Sequence, residues 1–169
     1  MIRALDPDAD AQLIPALAAM MVAVVAGGAS IGFMAGFDQA EAEAWWRQRL
    51  AAAQRGELHL LVAETAAGVA GTVSLVPAMM PNQLHRADVA KMMVAPHAQR
   101  QGVGAALLQA VEALARQLGR TTLVLDTVRG SAAARLYERG GWHKVGEIPA
   151  YALMPDGTMA PTSFYTRRL

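Results

Sequence analysis

Gln99-Arg100-Gln101-Gly102-Val103-Gly104 joins an apolar run over 89–94 to a stretch over 103–118 whose apolar residues recur at helical spacing. A strand feeding a glycine turn that opens a helix has the layout of a phosphate cradle. Glycine lets the backbone come close to an anion, the first N–H groups of a helix have no intrahelical partner, and the helix dipole favours negative charge. The backbone N–H groups of Gln99, Arg100, Gln101, Gly102, Val103, Gly104 and Ala105 are therefore the expected anion contacts, with the Arg100 side chain adding a cation at the rim.

Outward from the cradle, the chain reads as alternating strands and helices. On the C-terminal side, Val103, Leu107, Ala110, Val111, Leu114 and Leu118 form one apolar stripe, Gln109, Glu112 and Arg116 lie elsewhere, and Gly119 ends the helix. A buried strand is predicted over 121–126. Ser131 caps a short helix to Arg139, Gly140-Gly141 turns the chain into a strand over 142–148, and a last strand covers 164–168. On the N-terminal side, a short strand over 2–5 precedes Asp6-Pro7, a capping residue followed by proline, which predicts a helix from there to about Val25. A glycine-rich loop over 27–37 follows, and Asp38 with Glu41 makes a capping box for a helix to about Gln54 whose tryptophans, Trp45 and Trp46, anchor it to the core. Runs over 58–64 and 69–76 form a hairpin around Thr65-Ala66-Ala67-Gly68, and the loop over 78–86 is long enough to border a site. No repeat or linker interrupts this order, which predicts one mixed α/β domain over 1–169.

Composition narrows the function. A chain of 169 residues suits a single core that buries roughly two-thirds of the unfolded surface. With a net charge of +1 and no basic tract, it lacks the electrostatic footprint of a nucleic-acid binder. The absence of cysteine excludes disulfides, thiolate metal sites and a thiol nucleophile, and suits a cytoplasmic protein. Four scattered histidines with no H-x-x-x-H pair argue against a metal centre. Residues 16–37 carry no charge, but alanine and glycine dominate them and Gly27-Gly28 interrupts any spanning helix, so no membrane partner is expected. The same apolar segment offers a contact for a homodimer.

The spacing Q/R-x-x-G-x-G/A after a strand, with Ala133, Leu136, Tyr137 and Gly140-Gly141-Trp142 about thirty residues on, resembles the GCN5-related N-acetyltransferase (GNAT) family over most of the chain. The resemblance implies an α/β fold with a central, mostly antiparallel mixed sheet, a splayed parallel strand pair and about four flanking helices. It implies acetyl-CoA as cofactor, its pyrophosphate on the glycine turn, its pantetheine arm along the backbone of Met92, Met93 and Val94, and Tyr137 near the thiol. Gly28-Ala29-Ser30-Ile31-Gly32-Phe33, Pro81-Asn82-Gln83, Leu125-Asp126-Thr127 and Ile148-Pro149-Ala150-Tyr151-Ala152 are similar to the branch containing the tabtoxin-resistance acetyltransferase. That branch implies that Ser30, Phe33, Asn82, Gln83 and Tyr151 face a small-molecule amine acceptor.

The implied reaction can be set against the residues. A phenol with pKa near 10 stays protonated at neutral pH and can donate to a leaving thiolate, which makes Tyr137 the expected general acid. The acceptor amine arrives as ammonium and must lose a proton before attack. Asp126, at the end of a strand beside a crevice, and Asp88, at the opening of the pantetheine strand, are the candidate carboxylates, with His85 a weaker third. Lys91 reads as a snorkelling or paired side chain rather than a catalyst. A protein N-terminal or lysine acetyltransferase, or a non-catalytic acyl-CoA sensor, would carry the same cradle.

Overall fold

The computed structural model describes residues 1–169. Its strands are β1 (Ile2–Ala4), β2 (His59–Thr65), β3 (Gly68–Pro77), β4 (Arg86–Val94), β5 (Thr122–Val128), β6 (His143–Leu153) and β7 (Met159–Arg168). The helices are α1 (Ile14–Ala26), α2 (Gln39–Gln54), α3 (Val103–Gln117) and α4 (Ala132–Arg139). All seven strands lie in one sheet of order β1-β2-β3-β4-β5-β7-β6. Every neighbouring pair is antiparallel except β4 and β5.

The β4–β5 pair positions everything that follows. It is in register only from Arg86 opposite Thr122 to Asp88 opposite Val124, and beyond that point the strands part although both continue. On its other edge β4 stays paired with β3, but the register slips between Thr72 and Ser74, where Lys91 bulges with φ +50°. A bulge adds a residue to one strand and bends it, so β4 turns away from β5 and the sheet opens into a fork.

The core forms where the pattern is most apolar. β3 is buried continuously from Val69 to Leu75, as a strand covered on both faces requires, and both α1 and α3 pack on it. Gly71 lets both β4 and α3 come close, because a Cβ there would lie 2.7 Å from the Met93 carbonyl oxygen and 3.0 Å from Leu107 Cδ1. Trp46 anchors α2 with no exposed surface, and the expected Asp38–Glu41 capping box is present in both directions. No helix is long and apolar enough to cross a membrane.

Three local expectations need correction. The first helix does not start at Asp6-Pro7. Asp6 caps a single turn by accepting the N–H groups of Asp8 and Ala9, Arg3 draws Asp10 inward, and α1 begins only at Ile14. In α3, Glu112 belongs to the buried side, where it accepts a 2.9 Å hydrogen bond from Trp142 Nε1, while Leu118 is exposed. The last two strands are longer than the apolar pattern suggested, because β6 is an edge strand with almost no buried residue and so shows no alternation.

Candidate functional site

At the C-terminal end of β4 the chain turns through Pro96–Ala98, passes Arg100 (φ +61°) and Gly102 (φ +83°), and enters α3 at Val103. Left-handed residues in a tight turn make successive N–H groups point the same way, forming an anion-binding concavity. Here six consecutive N–H groups, from Arg100 to Ala105, donate to no acceptor within the protein, and the first intrahelical bond runs from Ala106 N–H to Gly102 O. Gln101 Nε2 donates to His97 O at 2.8 Å and braces the turn.

The two glycines serve different needs. A Cβ on Gly102 would meet nothing within 4 Å, so it is the positive φ and not packing that calls for glycine there. A Cβ on Gly104 would come within 3.1 Å of Leu136 Cδ2, so this glycine lets α3 and α4 approach each other.

The fork between β4 and β5 opens beside this turn. Tyr137 on α4 is buried, its ring 5.9 Å from that of Trp142 and 6.1 Å from that of Tyr165. Its hydroxyl lies 3.8 Å from Met92 Sδ on β4, the one hydrogen-bond partner it has, so the phenol reaches from α4 to the strand expected to carry the thioester arm. Burial, and secondarily the Asp126 carboxylate, push its pKa up to about 12.

Asp126 stands two residues past Val124, the last β5 residue in parallel register, and is opposite Phe164 in β7. It makes no ion pair. Although it reaches solvent, the walls of the fork remove enough water to hold its carboxyl above the usual range, with Lys91 opposing the shift and Asp88 adding to it. Asp88, at the point where the strands part, is bound to Arg86 at 2.8 Å, and Arg86 also donates to Gln83 Oε1 at 2.9 Å. His85 lies at the closed end, where its carbonyl accepts from Thr121 and Thr122. Asp126 is therefore the carboxylate left free at the open end.

The expected acceptor residues divide into two groups. Phe33 and Tyr151 converge on the fork: Phe33 stacks on Phe37 and meets Trp45 edge-on beneath Lys91 Nζ, and Tyr151 packs edge-on against Phe164, the strand neighbour of Asp126. Ser30 instead ties the glycine-rich loop to the Leu153 carbonyl, Gln83 is engaged by Arg86, and Asn82 is exposed without a partner. Lys91 takes a larger part than its sequence context suggested, donating from Nζ to Ile31 O at 2.6 Å across the cleft. Phe164 and Arg49 border the same space. Neither carries a sequence signal, because the sheet register and the packing of α2 bring them there. A separate pocket of ≈ 410 Å³ between the end of α1 and the β6–β7 turn contains, as its only ionisable side chain, Asp156, whose carboxylate is occupied by Thr158.

Comparisons with known proteins agree with this architecture. The family model described as "Acetyltransferase (GNAT) domain" matches residues 56–144, more than half of the chain. The chain belongs to the GNAT acetyltransferase family. Its fold is similar to that of a Brucella melitensis ribosomal-protein-alanine N-acetyltransferase, with 24% identity, TM-score 0.80, and 100% of this chain and 99% of the other covered. A GCN5-related N-acetyltransferase from Kribbella flavida matches with 24% identity, TM-score 0.79 and coverage of 100% and 97%. The Salmonella typhimurium YncA protein, solved with its cofactor acetyl-CoA, matches with 23% identity, TM-score 0.78 and coverage of 100% and 93%.

Proposed function

We propose that this chain is a single-domain cytoplasmic enzyme that transfers acetyl from acetyl-CoA directly to the amine of a small polar or amino-acid-like acceptor, in the branch that resembles the tabtoxin-resistance enzyme. The observation that carries the reading is the row of six unpartnered N–H groups at the mouth of α3, beside a fork holding a free carboxylate and a buried phenol. A diphosphate is the ligand such a row fits, since it offers several anionic acceptors to donors that water otherwise must satisfy. Gly102 supplies the left-handed turn that bares the row, and Arg100 stands at its rim.

Acetyl-CoA supplies an activated acyl group and a good leaving group. The protein's own tasks are binding, orientation and proton movement. Residues Arg100 to Ala105 would hold the pyrophosphate, and the backbone of Met92, Met93 and Val94, on the edge of β4 that β5 has left, would hold the pantetheine arm by strand-like hydrogen bonds. One of those N–H groups polarises the thioester carbonyl. Asp126 accepts the proton of the arriving ammonium, and its raised pKa makes it a stronger base than an ordinary aspartate. Attack of the freed lone pair would form the C–N bond as the C–S bond breaks, with the second amine proton passing to the departing thiolate and Tyr137 donating a hydrogen bond to that sulfur as it gains charge. Asp88, neutralised by Arg86, shapes the base of the fork.

Purified protein with acetyl-CoA and a broad amine panel should release free thiol, and Asp126→Asn should lower turnover while leaving coenzyme A affinity within about twofold. Calorimetric binding of coenzyme A with no thiol release from any amine would favour a sensor. Release with peptide N-termini alone would favour a protein acetyltransferase, the reading that the Brucella likeness suggests.

A further inference from the structure

Three charged side chains face the acceptor end of the fork without an ion-pair partner: Lys91 on the β4 bulge, Asp126 on β5 and Arg49 on α2. Their formal sum is one positive charge. Lys91 uses one N–H on the Ile31 carbonyl and sits 5.7 Å above the Phe33 ring, which leaves its other N–H groups for something else. The Arg49 guanidinium lies over Trp45 at 5.3 Å, forms no hydrogen bond, and has a buried Nε with no acceptor. Trp45 meets Phe33 edge-on, so the two cations border one aromatic wall.

Half-buried cations with no ion-pair partner are costly, and an anion between them recovers part of that cost. Burial holds the Lys91 ammonium below its usual pKa; Asp126, across the fork and beyond ion-pair distance, partly offsets this, and Arg49 adds a smaller push downward. Lys91 and Asp126 thus present opposite charges across a gap, which matches a molecule with an amine at one end and an anion at the other. Arg86, the other cation near the fork, is already committed to Asp88.

We propose that Lys91, with Arg49 beside it, is the specificity-determining subsite that reads a carboxylate on the acceptor next to the amine that Asp126 receives. The inference rests on the acetyl-transfer reading for the position of the amine, and goes beyond it in assigning the anion-binding residues. The α-amino acid with its amine free is the class that fits.

The test pairs the free L-amino acids with their α-carboxamides. Thiol release from acetyl-CoA is measured for each pair, and binding of each pair to the coenzyme A complex is measured by calorimetry. The acid of the best pair should exceed its amide by about tenfold or more in kcat/KM or in affinity. Lys91→Met should abolish that ratio by raising KM for the acid alone, and Lys91→Arg should keep it. Equal handling of acid and amide by the wild type, or an equal loss for both in Lys91→Met, would show a loop tether only and overturn the proposal. No binding of either form would overturn it as well. Acids that bind selectively without thiol release would uphold the subsite while removing the acetyl-transfer reading.

Discussion

Tyr137→Phe separates chemistry from folding, because the structure makes the hydroxyl nearly dispensable for stability. Its one partner is a thioether at 3.8 Å, a weak acceptor, and the ring contacts with Trp142 and Tyr165 survive the change. The stability change should stay under about 1 kcal/mol, a shift of roughly 2–4 °C in Tm for a chain of this size. The effect on turnover is bounded by the phenol's pKa of about 12. A thiol resembling that of cysteine has a pKa near 8.5, so complete proton transfer from phenol to thiolate would be uphill by about 5 kcal/mol. The phenol then acts chiefly as a hydrogen-bond donor to sulfur as it gains charge, worth about 2–3 kcal/mol. Turnover in Tyr137→Phe should fall by roughly 30- to 150-fold, with coenzyme A affinity unchanged. Single-turnover thiol release beside thermal denaturation measures both quantities. Turnover within threefold of wild type would refute the role, and a large loss of Tm would refute the account of the hydroxyl's packing.

Other expectations concern the frame that holds the fork. Asp10 is buried and accepts from Arg3 Nη2 at 2.8 Å and from Asp6 N–H at 2.8 Å, and the guanidinium holds its carboxyl below the ordinary value of 3.8. A lowered folded pKa gives stability that is complete above the unfolded value and is lost as pH falls through the folded one. Asp10→Asn should therefore cost about 2 kcal/mol at pH 7 and much less near pH 2, read by urea denaturation at the two pH values; an equal cost at both would contradict the pairing. Glu112→Leu should cost about 1–3 kcal/mol by leaving the buried Trp142 N–H without an acceptor, whereas Glu112→Gln should keep most of it, as thermal denaturation can compare.

What could be read from residues alone was whatever local chemistry controls. The capping box at Asp38, the Ser131 cap, the hairpin around Gly68 and the glycine-opened α3 rest on contacts within a few positions, and each formed where expected. The pattern could not reveal the β4 bulge, because a lysine at φ +50° is imposed by pairing with β3 and has no local signal. The splay of β4 from β5 is the one the family resemblance implies, but the placement of Lys91 across the cleft on Ile31 follows from the bulge and has no signal in the pattern. Glu112 was misplaced for a related reason: its burial is compensated by an indole thirty residues away, which helical periodicity does not see.

Whether the N–H row from Arg100 to Ala105 grips the diphosphate of the cofactor can be read amide by amide. Adding coenzyme A to uniformly ¹⁵N-labelled protein should shift the amide resonances of those residues and slow their hydrogen exchange, with 3′-dephospho-coenzyme A producing the same changes because the diphosphate is retained. Tight binding of coenzyme A that leaves those resonances and exchange rates unmoved would contradict the account.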